Sequence, residues 1–165
     1  MTQRVLPAVV RVKICGVTEA GDACAAARAG CDAVGFVLAP GKRQVTLEVA
    51  RELARGLPPF VARVAVLVDP SCEEVERTAR SGVFTHLQLH GNEPPEFCSS
   101  MPLPVLKAFK LCDADDLLKM AAFLAVAQGV TALADGPAGG SGRHCNWELA
   151  CEAARRWPLV LAGGL

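Results

Sequence analysis

Seven short apolar runs punctuate the chain: Val9 to Ile14, Ala33 to Leu38, Val61 to Val68, Phe84 to Leu89, Val105 to Phe109, Val130 to Ala134 and Leu159 to Ala162. They are rich in β-branched residues and nearly continuous in apolar positions rather than alternating, as expected of strands covered on both faces. Helical patterns fill the gaps between them. Thr18 is placed to cap a helix through the Ala-rich stretch to Gly30, Thr46 one ending near Gly56, Ser71 one with Glu73 and Glu74 in its first turn, and Asp113 one reaching Gln128. A shorter helix fits Pro94 to Ser99, and another follows Asn146. No linker, low-complexity tract or change of composition interrupts this alternation, so the reading is one α/β domain over residues 1–165 built on a parallel sheet. A right-handed series of such units closes either as an open doubly wound sheet or as a (β/α)8 barrel.

With 165 residues and 52% hydrophobic content, the chain can bury one sizeable core. Its 17 basic and 17 acidic side chains cancel, which removes any global field for nucleic acid or an anionic membrane and leaves room only for a small, local anion site. The eight cysteines lie in Ala- and Val-rich stretches with no C-x-x-C pair, which reads as free thiols of a cytoplasmic protein. No apolar run is long enough to span a bilayer.

In barrels the chemistry sits at the C-terminal ends of the strands. Here those positions read Cys15-Gly16, Ala39-Pro40-Gly41-Lys42-Arg43, Asp69, His90-Gly91, Lys110, Asp135-Gly136 and Gly163-Gly164, a ring of nucleophilic, acidic, basic and glycine positions. The three histidines have no metal-ligand spacing, so no metal is expected. Arg43 presents a planar fork suited to a carboxylate. The cluster Gly139-Gly140-Ser141-Gly142 follows the strand ending in Asp135 and suits a backbone cradle for phosphate.

Lys13-Ile14-Cys15-Gly16-Val17-Thr18, Gly35-Phe36-Val37, Lys42-Arg43-Gln44-Val45, Gln88-Leu89-His90-Gly91, Asp135 with Gly139-Gly140-Ser141-Gly142, Asn146-Trp147 and Leu161-Ala162-Gly163-Gly164-Leu165 resemble, in order and spacing, the successive signatures of the phosphoribosylanthranilate isomerases of tryptophan biosynthesis. That resemblance implies a (β/α)8 TIM barrel and a cofactor-free Amadori rearrangement of N-(5-phosphoribosyl)anthranilate to 1-(2-carboxyphenylamino)-1-deoxyribulose 5-phosphate. It implies Cys15 as general base and Asp135 as general acid, with Arg43 on the anthranilate carboxylate and His90 supporting the site. Gly139, Gly140, Ser141, Gly142, Gly163 and Gly164 would bind phosphate. Cys15, just ahead of the helix begun by Thr18, is expected to gain thiolate character from that helix N-terminus. Asp135 is expected to keep its proton in a desolvated position near the bound phosphate and carboxylate. Only seven units are counted, so the expectation is a barrel lacking its eighth βα unit, with edges through which copies could associate, as homodimer or otherwise. Against the isomerase stands an inactive barrel fragment that acts at most as a binding or assembly module.

Overall fold

The computed structural model describes residues 10–136 and 145–163. Seven strands alternate with six helices among these residues: β1 (Lys13–Cys15), α1 (Ala20–Arg28), β2 (Ala33–Val37), α2 (Leu47–Arg55), β3 (Ala62–Leu67), α3 (Cys72–Arg80), β4 (His86–Leu89), α4 (Pro95–Ser99), β5 (Val105–Lys110), α5 (Ala114–Val126), β6 (Val130–Asp135), α6 (Trp147–Arg156) and β7 (Leu159–Leu161). Every strand pair is parallel, and the order in the sheet is the order in the chain. This is the topology of a (β/α) barrel in seven units, not of a doubly wound sheet, whose strand order reverses.

Local signals account for most of the helices. Thr46 Oγ1 accepts from Val49 N, Asp113 Oδ1 from Asp116 N, and Asn146 Oδ1 from both Glu148 N and Leu149 N. Ser71 and Glu74 close a reciprocal capping box at the start of α3. The first helix departs from expectation. It starts at Ala20 with Glu19 as its extended N-cap, and Thr18 lies in the connection, because Gly16 turns the chain through φ +80° and holds Gly16 N and Val17 N on Gly35 O. α5 also stops at Val126, short of Gln128.

The first strand is later and shorter than the apolar pattern suggests. Val10 and Val12 are 81% and 48% exposed, and pairing with β2 begins only at Lys13. Phe84 is not part of β4; it is buried edge-to-face against Phe36, 6.2 Å away.

The register sorts the strands into two faces, since paired residues of parallel strands point the same way. One face carries Val34, Phe36, Ala65, Leu67, Leu87 and Leu89, which pack with Ala23, Ala50, Leu53 and Val75 of the helices into the larger core cluster. Ala132 and Ala134 continue it against Leu117, Met120 and Ala150. The opposite, concave face carries Lys13, Cys15, Gly35, Gln88, Leu133, Lys110 and Asp135. Alternate residues of the apolar runs therefore supply the helix-facing layer and the concave face, and the candidate site lies on the concave face at the strand ends.

Candidate active site

Cys15 ends β1, half-buried on the concave face. Two glycines make its position possible. A Cβ on Gly35 would stand 2.9 Å from Cys15 Sγ and 3.2 Å from Lys13 Nζ, so the thiol and the ammonium share the space that Gly35 leaves open. At Gly16 a Cβ would stand 2.7 Å from Arg43 Nη1. Arg43 lies across this turn and donates from Nη1 to the Cys15 carbonyl at 2.9 Å. The expected arginine is thus tied to the backbone of Cys15, and its side chain is otherwise exposed. With α1 starting at Ala20 behind an acidic N-cap, the helix terminus expected to assist Cys15 is displaced from it. Lys13 is the cation beside the thiol. Alternation gave the signal that was missed: Lys13 and Cys15 are two residues apart on one strand and so face the same way.

Asp135 ends β6 with 8% of its surface exposed. Its Oδ2 lies 3.0 Å from His90 Nε2, and its Oδ1 accepts from Gly136 N at 2.8 Å. The hydrogen bond from His90 holds its carboxyl below the ordinary value, burial opposes this, and the Gly136 N–H adds to the lowering. The carboxyl of Asp135 is therefore held toward the ionised form while the site is empty; the expectation of a retained proton concerns the substrate-loaded site. The sequence could not show this, because the responsible ring comes from a position 45 residues away. Gly163 (φ +76°) packs against the same carboxylate: a Cβ there would stand 2.5 Å from Asp135 Oδ1 and from Gly136 N. Gly139, Gly140, Ser141, Gly142 and Gly164, expected to bind phosphate, lie outside the described residues.

His90 joins β4 to β6. Its ring Nδ1 is 3.0 Å from Gln88 Nε2, its backbone N–H donates to Leu67 O, and its Nε2 meets Asp135. The loop that follows is pinned from below. Glu93 accepts from Asp69 N and from Gly91 N, and its Oε2 lies 3.1 Å from Lys107 Nζ, which also donates to Gly91 O at 2.7 Å. Asp69, at φ +46°, accepts from Asn92 N, and no side chain fits at Gly91 because a Cβ would run into the Asp69 carboxylate. A cleft of about 490 Å³ opens beside His90 and Asp135, with Lys110 and Lys119 on its wall, within the size range of small-ligand sites. No group of three or more His, Cys, Asp or Glu side chains among the described residues is placed to hold a metal ion.

A base candidate at the end of β1 and an acid candidate at the end of β6 thus face one concave mouth. Residues 12–165 match the family model for N-(5'-phosphoribosyl)anthranilate (PRA) isomerase. The chain is 39% identical over 159 residues to the N-(5'-phosphoribosyl)anthranilate isomerase of Petrotoga mobilis, covering 94% of this chain and 76% of that protein. It is similar to the crystal structure of the phosphoribosyl anthranilate isomerase from Thermotoga maritima, with TM-score 0.86 and 37% identity over 95% of this chain and 78% of that one. A further crystal structure, of a phosphoribosyl anthranilate isomerase in complex with reduced 1-(o-carboxyphenylamino)-1-deoxyribulose 5-phosphate, matches at TM-score 0.83 and 35% identity over 95% of this chain and 77% of that one. The chain belongs to the N-(5'-phosphoribosyl)anthranilate (PRA) isomerase family.

Proposed function

We propose that this chain is a phosphoribosylanthranilate isomerase in which Cys15 is the general base and Asp135 the general acid. The observation that carries the reading is their placement at the C-terminal ends of β1 and β6, on the same concave face of a sheet of this family. The reaction needs one proton delivered to the furanose ring oxygen and one removed from C2′. Asp135 delivers the first, the ring C–O bond breaks, and the nitrogen lone pair closes the iminium. Cys15 then takes the C2′ proton, the C–H electron pair shifts into an enolamine, and tautomerisation gives the ketone. At ring opening Asp135 must carry a proton, although the empty site holds its carboxyl toward the ionised form; the phosphate and carboxylate of the arriving substrate add negative charge that favours proton uptake there.

Arg43 is assigned to the anthranilate carboxylate. Its link to the Cys15 carbonyl means that seating the aromatic acid also fixes the base. Gly163, against Asp135, is assigned to the phosphate together with Gly139, Gly140, Ser141, Gly142 and Gly164. Lys13 shares with Cys15 the space that Gly35 leaves open, which sets a cation beside the proposed base. The eight free thiols suit a reducing compartment, and we place the reaction in the cytoplasm on that ground.

The test is the decay of phosphoribosylanthranilate fluorescence on addition of the purified chain, with the product identified by mass-neutral conversion to the ketose. Catalysed decay is expected. A folded chain that leaves the substrate unconverted would refute the assignment.

A further inference from the structure

One buried polar atom beside the site has no partner among the described residues. Gln88, two residues before His90 on the concave face, is 3% exposed; its amide nitrogen lies 3.0 Å from His90 Nδ1, while its carbonyl Oε1 is buried without a hydrogen bond. Such an orphaned acceptor in a native interior calls for an explanation. A neutral imidazole carries one N–H and an imidazolium two. An amide nitrogen that donates to Nδ1 requires a neutral ring whose one N–H is on Nε2, the nitrogen that faces Asp135 Oδ2 at 3.0 Å. Turning the Gln88 amide over puts Oε1 where the amide nitrogen was, and there it accepts from the Nδ1–H of an imidazolium.

We propose that Gln88 is a positioning residue that lets the His90–Asp135 pair hold the proton used in ring opening. This rests on the reading of Asp135 as the acid. In the loaded pair, imidazolium faces carboxylate and Gln88 Oε1 accepts Nδ1–H. On reaction the Nε2–H bond breaks toward Asp135 Oδ2, the proton passes on to the ring oxygen, and that oxygen keeps the electron pair of the broken C–O bond. His90 is left with one N–H. After exchange with water that proton rests on Nε2 and the Gln88 amide turns to donate to Nδ1, the arrangement seen here. Uptake of one proton from solvent, to which the His90 side chain is 32% exposed, reloads the pair. The buried Gln88 is matched to both states because an amide offers a donor on one side and an acceptor on the other.

The chain has only three histidines, His86, His90 and His144, so their imidazole 15N signals can be followed against pH in the intact protein. Two variants bracket the proposal: Gln88→Met removes both the donor to the neutral ring and the acceptor for Nδ1–H of the imidazolium, of which the charge-assisted second is the stronger, and Gln88→Glu leaves only an acceptor, a stronger one. The charged neighbours are Asp135 on β6, Lys107 and Lys110 on β5, Glu93 after β4, Asp69 after β3 and Asp116 and Lys119 on α5; all are common to the three proteins, so the differences isolate Gln88. Gln88→Met is expected to move the His90 titration and the alkaline limb of kcat to lower pH, each by a ~10-fold change in proton concentration, and Gln88→Glu to move both to higher pH. His86, held by Thr85 Oγ1, stays in place as the internal reference. Each variant has its own signed expectation, so either suffices if the other fails to fold. Unmoved titrations, or movement in the direction opposite to that stated, would overturn the proposal; a purely structural Gln88 would lower kcat without a signed shift of either limb.

Discussion

Replacing Lys107 by Met tests whether the loop that carries His90 is held by its buried ion pair. The side chains of Lys107 and Glu93 are 5% and 2% exposed, with Nζ and Oε2 3.1 Å apart. Removing the ammonium leaves a carboxylate out of water with only the N–H groups of Asp69 and Gly91 to answer it. Breaking a buried pair from one side costs about 3–5 kcal/mol, and the two backbone donors place this case toward the lower end, near about 3 kcal/mol. For a chain of this size each kcal/mol corresponds to roughly 2–4 °C, so Lys107→Met should melt about 6–12 °C lower. Lys107→Met combined with Glu93→Gln removes the unpaired charge while an amide oxygen still accepts a backbone N–H, and should recover part of that loss. The assay is thermal unfolding by circular dichroism for the two single variants and the double. A Lys107→Met protein within about 1 kcal/mol of wild type would place the pair among contacts that contribute little, and a double variant less stable than either single would refute the argument about the stranded charge.

Further outcomes follow from the same geometry. Arg43→Lys keeps the charge but loses the fork and the hold on the Cys15 carbonyl, so KM for the substrate should rise and kcat should fall as well; steady-state kinetics with both parameters unchanged would remove Arg43 from the site. Gly16→Ala must adopt φ +80° and displace the Arg43 guanidinium, costing about 1–3 kcal/mol of backbone strain before the lost contact is counted, measurable by urea unfolding. Because the carboxyl of Asp135 is lowered from 3.8 in the folded state, the stability it contributes is present above that pH and is lost as pH falls through its folded value. Asp135→Asn should therefore flatten the acid side of the stability curve below about pH 4, and an identical slope in both proteins would contradict the His90–Asp135 link.

What the sequence made legible was what neighbouring residues decide. Thr46, Ser71, Asp113 and Asn146 announce their helices because a cap needs only the next three residues. Thr18 has the same chemistry and fails as a cap because a distant carbonyl, Gly35 O, fixes the turn before it. Val10 and Val12 look like strand residues, yet their exposure reflects where pairing with β2 begins, which no local pattern encodes. Cys15, Arg43, His90 and Asp135 were legible as candidates from strand ends and family signatures. Lys13 and Gln88 were not, although alternation puts each on the face of the residue two positions on, because a lysine or glutamine inside a strand reads as an exposed residue until the curl of the sheet is known. The ionisation of Asp135 and the Lys107–Glu93 pair depend on contacts between strands and loops far apart in sequence, which only the fold brings together.

The central claim is that Cys15 and Asp135 move the two protons of the rearrangement. The measurement is kcat and KM of Cys15→Ala and Asp135→Ala against the unaltered chain, with folding checked by circular dichroism. Loss of a general base or acid should lower kcat by at least ~10²-fold in each while KM changes little. A variant that stays folded and keeps a kcat near wild type would show that its residue carries no proton in this reaction.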